Sequence, residues 1–394
     1  MFVNNLLLNN KLGVFVVSFK NESLLLRKIK SNMPKILFIA AHRLDRNPSQ
    51  RYRFEQYLSF FEANGFSCEL SNIISEKDDK IFYNPGSLLK KVGIVWKGIS
   101  IRLKDVRRTN KFDIIFIHRE ALMLGSTYFE KRFSKSKAKV IFDFDDAIWM
   151  LDTSAGNSKW KFLKSDAKTG KNIAYSDAVI AGNSFLANYA STFNKNVTII
   201  PTTVDTEIFK QKNNPEKSDS ICIGWSGSPT TIKHFEHLLT VLKKIKEKYG
   251  DKIHFSVMGD GNYSNTELGI QGIPWQSETE VEEIARFDIG IMPLPNDEWS
   301  KGKCGLKGLT YMSLEVPTIM SAVGVNSEII QDGENGFLAS SEEEWIEKIS
   351  LLIESEELRK KMGKAGRKTV VEKYSVLANQ EKYLDLFREL IQAK

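Results

Sequence analysis

Trp299-Ser-Lys-Gly-Lys-Cys-Gly-Leu-Lys-Gly-Leu-Thr-Tyr-Met-Ser-Leu-Glu-Val-Pro-Thr-Ile-Met-Ser-Ala-Val-Gly-Val-Asn-Ser-Glu328, closed by Asp332-Gly-Glu-Asn-Gly-Phe337, is the stretch that decides the fold. A Gly/Lys-rich loop feeds a helix predicted to start near Lys307, and a β-branched strand from Val316 to Met320 ends in a loop at Gly324. Two helix N-termini would then face one crevice, aiming exposed backbone N–H groups and the positive ends of two dipoles at an anion. Lys303 and Lys307 add full charges. A diphosphate is the natural guest, although an ordinary βαβ unit reads the same way locally.

Outward from this stretch, short β-branched runs alternate with amphipathic segments from Met33 onward, the pattern of parallel sheets covered by helices. Lys35 to Ala41, Phe112 to His118, Lys139 to Phe144, Ala178 to Ala181 and Val197 to Pro201 read as strands of a first half. Ile221 to Trp225, Ile253 to Met258, Ile289 to Pro293 and Pro317 to Ser321 do the same for a second. Thr202 to about Ser220 is rich in Asn, Lys, Pro and Ser and suits a linker. The fold class is therefore α/β, with two Rossmann-like parallel-sheet domains. The expected divisions are an upstream extension of unknown role at 1–32, a first domain at 33–205 and a second at 206–373. A closing helix follows at 374–394.

At 394 residues the chain exceeds the usual size of one core. Cys68, Cys222 and Cys304 are far apart, without paired or metal-like spacing, which favours a reducing cytoplasm and predicts no disulfide framework. The apolar run Leu12 to Phe19 is too short to span a bilayer and has neither a basic leader nor a clear cleavage site, so no signal peptide is expected. A net charge of +7 suits phosphate ligands or an anionic surface. It does not single out nucleic acid, because no interleaved aromatic and basic stacking motif occurs.

Further segments carry candidate chemistry. Ile223-Gly-Trp-Ser-Gly-Ser-Pro-Thr-Thr-Ile-Lys233 joins a strand to a helix with the core stripe Phe235, Leu238, Leu239, Leu242 and Ile245. Gly224 and Gly227 allow close backbone approach, and Ser226, Ser228 and Thr230 either bond a ligand oxygen or cap the helix. Phe142-Asp-Phe-Asp-Asp-Ala-Ile-Trp149 stands at the end of a central strand, where ligands of open sheets collect. Its three carboxylates repel, which raises pKa values unless a cation, a base role or solvent relieves them. Capping by Asp145 or Asp146, with Asp143 solvated, is the plainer reading, and no metal is expected. Arg43-Leu-Asp-Arg-Asn-Pro-Ser-Gln-Arg-Tyr-Arg53 gathers four arginines at a helix start and suits a phosphate, unless they are merely solvated. His118 reads as structural. Leu88 to Val106 forms a helix with Leu88, Leu89, Val92, Trp96, Ile99, Leu103 and Val106 on one face. Lys90, Lys91, Lys97, Arg102 and Lys104 flank it, as on an anionic membrane surface or on an ordinary domain helix.

Pro317, Gly324, Glu328 and Asp332 to Gly336, with Ser176 to Phe185, Ile200 to Asp205, Met258-Gly-Asp-Gly261, Phe287 to Leu294 and Tyr374-Ser375, occur in an order that resembles the retaining, nucleotide-sugar-dependent glycosyltransferases of family 4. The resemblance covers roughly residues 33 to 390. It implies the GT-B architecture, two such domains facing a central cleft. It also implies a nucleotide-diphosphate sugar donor and a glycan or lipid-linked acceptor, with no separate cofactor. The setting it suggests is surface polysaccharide synthesis in the cytoplasm, peripheral to the membrane. Lys303 and Lys307 would stabilise the leaving diphosphate, and Asp145 or Asp146 would serve the acceptor. Arg51, Ser226, Gly227, Ser228, Lys233, Trp275, Gly324, Val325 and Glu328 would bind the donor, Trp275 beside the base. One departure stands out. Gly302 and Thr310 occupy the places of two glutamates that in the family contact sugar and ribose, so those contacts do not carry over. A nucleotide-sugar epimerase and a non-catalytic scaffold are the alternatives.

Overall fold

The computed structural model describes residues 33–84, 86–150, 167–210 and 219–393; the expected extension at 1–32 and linker residues 211–218 lie outside the described residues. Two six-stranded parallel sheets organise the chain. The first contains β1 (Lys35–His42), β2 (Ser67–Ile74), β3 (Ile114–His118), β4 (Lys139–Phe144), β5 (Ala178–Ala181) and β6 (Val197–Ile199). The second contains β7 (Ile221–Ser226), β8 (Ile253–Gly259), β9 (Ile273–Pro274), β10 (Ile289–Met292), β11 (Thr318–Ser321) and β12 (Phe337–Ala339). Their orders are β2-β1-β3-β4-β5-β6 and β9-β8-β7-β10-β11-β12.

Central strands are buried on both faces and so read as continuous apolar runs; Ile36 to Ala40 are wholly inaccessible. The edge strand β2 starts instead with an alternation of exposed and half-buried residues. In each sheet the strand order reverses once, between β1 and β3 and between β7 and β10. Those switch points leave a crevice beyond the strands' carboxyl ends, which is where open α/β sheets collect ligands. His118 ends β3 and Ser226 ends β7, so each crevice begins at one of them.

Four helices matter for the site: α1 (Pro48–Arg53), α2 (Leu88–Arg107), α3 (Leu306–Ser313) and α4 (Val376–Gln392). From the far end of the chain, α4 returns to the first domain. Its Tyr383, Leu384, Phe387 and Leu390 join the core of Phe38, Phe54 and Phe61, and the Tyr383 hydroxyl donates to the Arg53 carbonyl at 2.6 Å. Each such side chain contributes roughly 1.5–3 kcal/mol when fully buried, which ties the last helix to the first sheet.

Two helices differ from expectation. The stripe Phe235 to Ile245 falls on two pieces, Ile232–Glu236 and Leu239–Tyr249, with Val241 buried while Leu239 is only half-buried. In α2 the buried residues are Ile94, Gly98, Arg102 and Asp105, and most of the apolar stripe points outward, with Leu89 at 86% and Trp96 at 66% exposure, while Ile99 and Val106 are half-buried against the first-domain core. Arg102 is therefore no part of a basic flank. It is fully buried, paired with Asp105 at 3.0 Å, and donates to the carbonyls of Ala40, Ser71 and Ala121. Those satisfied hydrogen bonds let a face that carries Arg102 and Asp105 beside Ile94 and Gly98 dock on β2.

Candidate active site

A cleft of about 1180 Å³ separates the carboxyl ends of the two sheets, with Ser49, Asp145 and Asp146 on one wall and Ser226, Lys303 and Lys307 on the other. The walls touch at one end. Asn183 Nδ2 donates to the Lys303 carbonyl at 2.9 Å, Lys303 Nζ pairs with Asp146 at 2.8 Å, and Cys304 Sγ donates to the Asp145 carbonyl at 3.2 Å. Gly302 belongs to this seam. A Cβ there would stand 2.6 Å from the Ala147 Cβ, so no glutamate fits where the family resemblance would put one. At the second such place Thr310 is buried and donates to the Lys307 carbonyl at 2.7 Å.

The second-domain wall is cationic and aromatic. Lys303 Nζ lies 3.5 Å above the Trp299 ring and Lys233 Nζ 5.5 Å from it, while Lys307, in the first turn of α3, sits 5.6 Å from the Trp225 ring. Indole faces attract cations without neutralising them. Burial, aided by the neighbouring Lys303 charge, pushes the Lys307 ammonium down to about 8. His234 stacks on Trp299 at 5.6 Å with neither ring nitrogen hydrogen-bonded among the described residues. Burial first, then Lys307, Lys303 and Lys233, push it down to about 4. The turn after β7 is shaped by close approach. A Cβ on Gly227 would meet the Trp225 ring at 2.1 Å, and one on Gly259 would meet the Gly227 carbonyl oxygen at 2.1 Å. Ser226 is held by the Tyr311 hydroxyl, at 2.7 Å from its N–H and 2.9 Å from its Oγ, and Ser228 N–H donates to Thr231 Oγ1.

The first-domain wall is a chain of paired charges. Arg53 and Asp143, both fully buried, pair at 2.5 Å, so Asp143 is not solvated as the sequence suggested. Asp143 Oδ2 contacts His118 Nδ1 at 2.8 Å, and His118 Nε2 contacts Ser49 Oγ at 2.8 Å. Ser49 Oγ in turn donates to the Asp145 carboxylate, 2.7 Å from both oxygens. Arg119 Nε holds Asp145 Oδ1 at 2.8 Å. Arg119 has φ 61°, left-handed backbone that costs a non-glycine residue energy and that clusters at functional sites. The expected upward pKa shift is reversed. Burial raises both carboxyls, but Arg53 with His118 holds Asp143 below its usual range, and Arg119 with His118 and Arg53 holds Asp145 well below it.

Other candidates fall elsewhere. The arginines of the 43–53 run are already paired within the protein, and of the four, Arg46 lines the cleft. Arg43 and Arg46 pair with Asp79, Arg53 with Asp143, and Arg51 with Glu280 across the cleft at 3.2 Å. Arg51 also lies 5.4 Å over the Trp275 ring; Trp275 and Glu280 line the cleft while Arg51 sits behind them. Gly324, Val325 and Glu328 are off the cleft wall. A Cβ on Gly324, which has φ +55°, would meet the Lys301 backbone at 2.8 Å, Val325 is buried in the core, and Glu328 accepts from Ser184 of the first domain. The helix beginning at Asn326 has four residues, too short to present a useful dipole to a ligand. Sequence reasoning read Ser49 only as part of the arginine-rich helix start suited to a phosphate, and missed Arg119, Glu280, Trp299 and Tyr311. Of these, only the tryptophan beside the Gly/Lys loop carried a local signal.

Residues 205–369 match the family model described as glycosyl transferases group 1. The second domain carries that signature. Curated relatives include the trehalose synthases of Pyrococcus horikoshii, 35% identical over 74 residues, and of Thermococcus litoralis, 34% identical over 82 residues. These matches cover 19% and 21% of this chain, which spans only 18% and 20% of those relatives' length. Among solved structures, a sucrose-phosphate synthase from Thermosynechococcus elongatus aligns with TM-score 0.68 at 13% identity, over 92% of this chain and 100% of its own. A glycosyltransferase from Rickettsia africae aligns at 0.65 and 15% identity with the same coverage. Anabaena HepE, solved with UDP-glucose, aligns at 0.64 and 11% identity over 90% of this chain and 99% of its own. The fold is the GT-B type, two Rossmann-like domains around a cleft.

Proposed function

We propose that the protein is a glycosyltransferase that moves a sugar from a nucleotide-diphosphate sugar to a glycan or lipid-linked acceptor, with retained configuration. The observation that carries this reading is the second-domain wall. Lys233, Lys303 and Lys307 converge over two tryptophans at a switch point, and among the described residues Asp146 is the carboxylate paired with any of Lys303 and Lys307. A leaving diphosphate would be stabilised there by preorganised cations as its charge develops. Trp275, beside Glu280, offers the base a ring face. Retention and a surface-polysaccharide product rest on the family resemblance, and a uridine diphosphate sugar is the first donor to try, given the HepE complex.

The exposed face of α2 supports an acceptor held at an anionic membrane surface, since Leu89, Val92 and Trp96 face solvent beside Lys90 and Lys97. Among the described residues no helix is long and apolar enough to cross a membrane. Sedimentation with anionic vesicles at low salt, lost on joint charge reversal of Lys90, Lys91 and Lys97, is the expected outcome; absence of binding by the unaltered protein removes this surface from the proposal.

A thermal-shift panel of nucleosides, nucleotide diphosphates and nucleotide sugars tests the main reading. Stabilisation by one diphosphate series and not by its nucleoside is expected. Product formed from the donor alone, with a sugar centre inverted, would instead identify an epimerase.

A further inference from the structure

The first-domain wall contains a connected set of groups that the diphosphate reading leaves unused. Asp143, His118 and Ser49 run in line from the core to the cleft and end on Asp145. Only the last two of these four line the cavity, while Asp143 is fully buried and His118 nearly so. We propose that this line is a proton exit for the acceptor: its hydroxyl proton passes through Asp145 and Ser49 to His118 Nε2, with Asp143 orienting the ring. The proposal rests on the glycosyl-transfer reading.

Proton counting supports it. Ser49 has one hydroxyl proton, yet Oγ stands 2.8 Å from Nε2 and 2.7 Å from both Asp145 oxygens. With the Nδ1 proton committed to Asp143, a neutral ring accepts at Nε2 from Ser49. When Ser49 donates to Asp145 instead, the ring must donate from Nε2. The two arrangements differ by one proton on the imidazole, so Ser49 is a switch between them. Asp145 cannot store the proton itself, because Arg119 at 2.8 Å favours its ionised form. Imidazole is the neighbouring group type suited to hold a proton near neutrality. The groups facing it are Asp143 on β4, Arg53 of α1 beyond that, Arg119 and Asp145 on the cleft side, and His42 at the end of β1.

The step balances. As the acceptor oxygen forms its bond to the anomeric carbon, the bond from that carbon to the diphosphate oxygen breaks, and its electron pair leaves with the diphosphate. The acceptor proton moves to the Asp145 carboxylate, on to Ser49 Oγ, and the Ser49 proton moves to Nε2. In this scheme Asp145 meets the acceptor, and Ser49 and His118 are positioning and relay residues.

The chain has five histidines, so each ring can be followed by carbon-13 NMR in the labelled full-length protein without any substrate. Asp145→Asn is expected to lower the His118 titration midpoint by about one unit, a tenfold loss of proton affinity, since a neighbouring anion favours the imidazolium. An unmoved midpoint overturns the relay. With a nucleotide sugar that turns over, hydrolysis of that donor provides the kinetic arm, water serving as acceptor. The acid limb of kcat should follow the His118 midpoint, disappear with a tenfold or greater fall of kcat in Ser49→Ala at unchanged donor KM, and return in Ser49→Thr. A limb that survives in Ser49→Ala also overturns the relay. If no nucleotide sugar turns over while the midpoint moves as expected, glycosyl transfer fails and the hydrogen-bonded link stands; turnover with an unmoved midpoint fails the relay alone.

Discussion

The two walls of the cleft sit at equivalent switch points of equivalent sheets, yet handle charge in opposite ways. On the first-domain side guanidinium groups are paired with carboxylates of the same domain: Arg53 with Asp143, Arg119 with Asp145, and Arg43 and Arg46 sharing Asp79. On the second-domain side the cations rest on aromatic rings, and Asp146, which answers Lys303, is supplied by the opposite wall. The first arrangement is complete without a ligand. In the proposed reading the second would be completed by an incoming anion, since a preorganised, partly desolvated cation cluster is what a leaving diphosphate requires.

The strongest way to break this contrast is to unpair the first wall. Asp143→Asn leaves Arg53 as a buried, uncompensated charge at 0% exposure and leaves one acceptor oxygen where Arg53 and His118 now use two. Loss of one partner of a buried pair costs about 3–5 kcal/mol, so urea unfolding should show a shift of that order. Glu298→Gln, which unpairs the exposed Lys301, should shift it by about 0–1 kcal/mol. Equal shifts for the two variants would mean that the first wall is not a structural network.

The same contrast governs what was legible in sequence. Lys303 and Lys307 belong to one loop and one helix start, so a local reading found them together. Ser49 and His118 are 69 residues apart and His118 and Asp143 are 25 apart, and parallel pairing of β1, β3 and β4 alone makes them neighbours. No local pattern encodes that. Central strands announced themselves by unbroken apolar runs, whereas β2 has an interrupted pattern and β12 spans three residues, too short for periodicity. The α2 stripe misled because a buried Arg102 with satisfied hydrogen bonds anchors the face opposite to the one that apolar periodicity selects.

A second, smaller effect sharpens the ligand side. Lys303→Ala and Lys307→Ala should each weaken nucleotide-diphosphate binding by roughly 1.5–3 kcal/mol, the range for hydrogen bonds to charged groups, and leave nucleoside binding nearly unchanged. Lys307→Ala should not lower the unfolding free energy as Asp143→Asn does, because Lys307 has no ion-pair partner among the described residues to abandon. Lys303→Ala should lower it less than Asp143→Asn, because the pair it gives up with Asp146 is partly exposed where Arg53 and Asp143 are wholly buried. Titration calorimetry with both ligands checks this. Equal weakening of nucleoside and diphosphate would place the lysines away from phosphate.

The mildest perturbation is pH. Burial and the Lys303 charge push Lys307 down to about 8, so its ammonium is intact near neutrality and is lost as pH rises through that value. A bound diphosphate favours the charged form and pulls the titration back up, so binding above about pH 8 must take up a proton. By linkage the affinity then falls by up to about tenfold per pH unit between the free and bound titration points. The ligand does not cause this fall, because phosphate ionisation with a pKa near 6 is complete in that range. Diphosphate affinity measured from pH 7 to pH 9 should therefore decline in the unaltered protein and stay nearly flat in Lys307→Ala, while nucleoside affinity is flat in both. A decline that persists in Lys307→Ala would assign the titration to another group on the cationic wall, with Lys303 the next to replace.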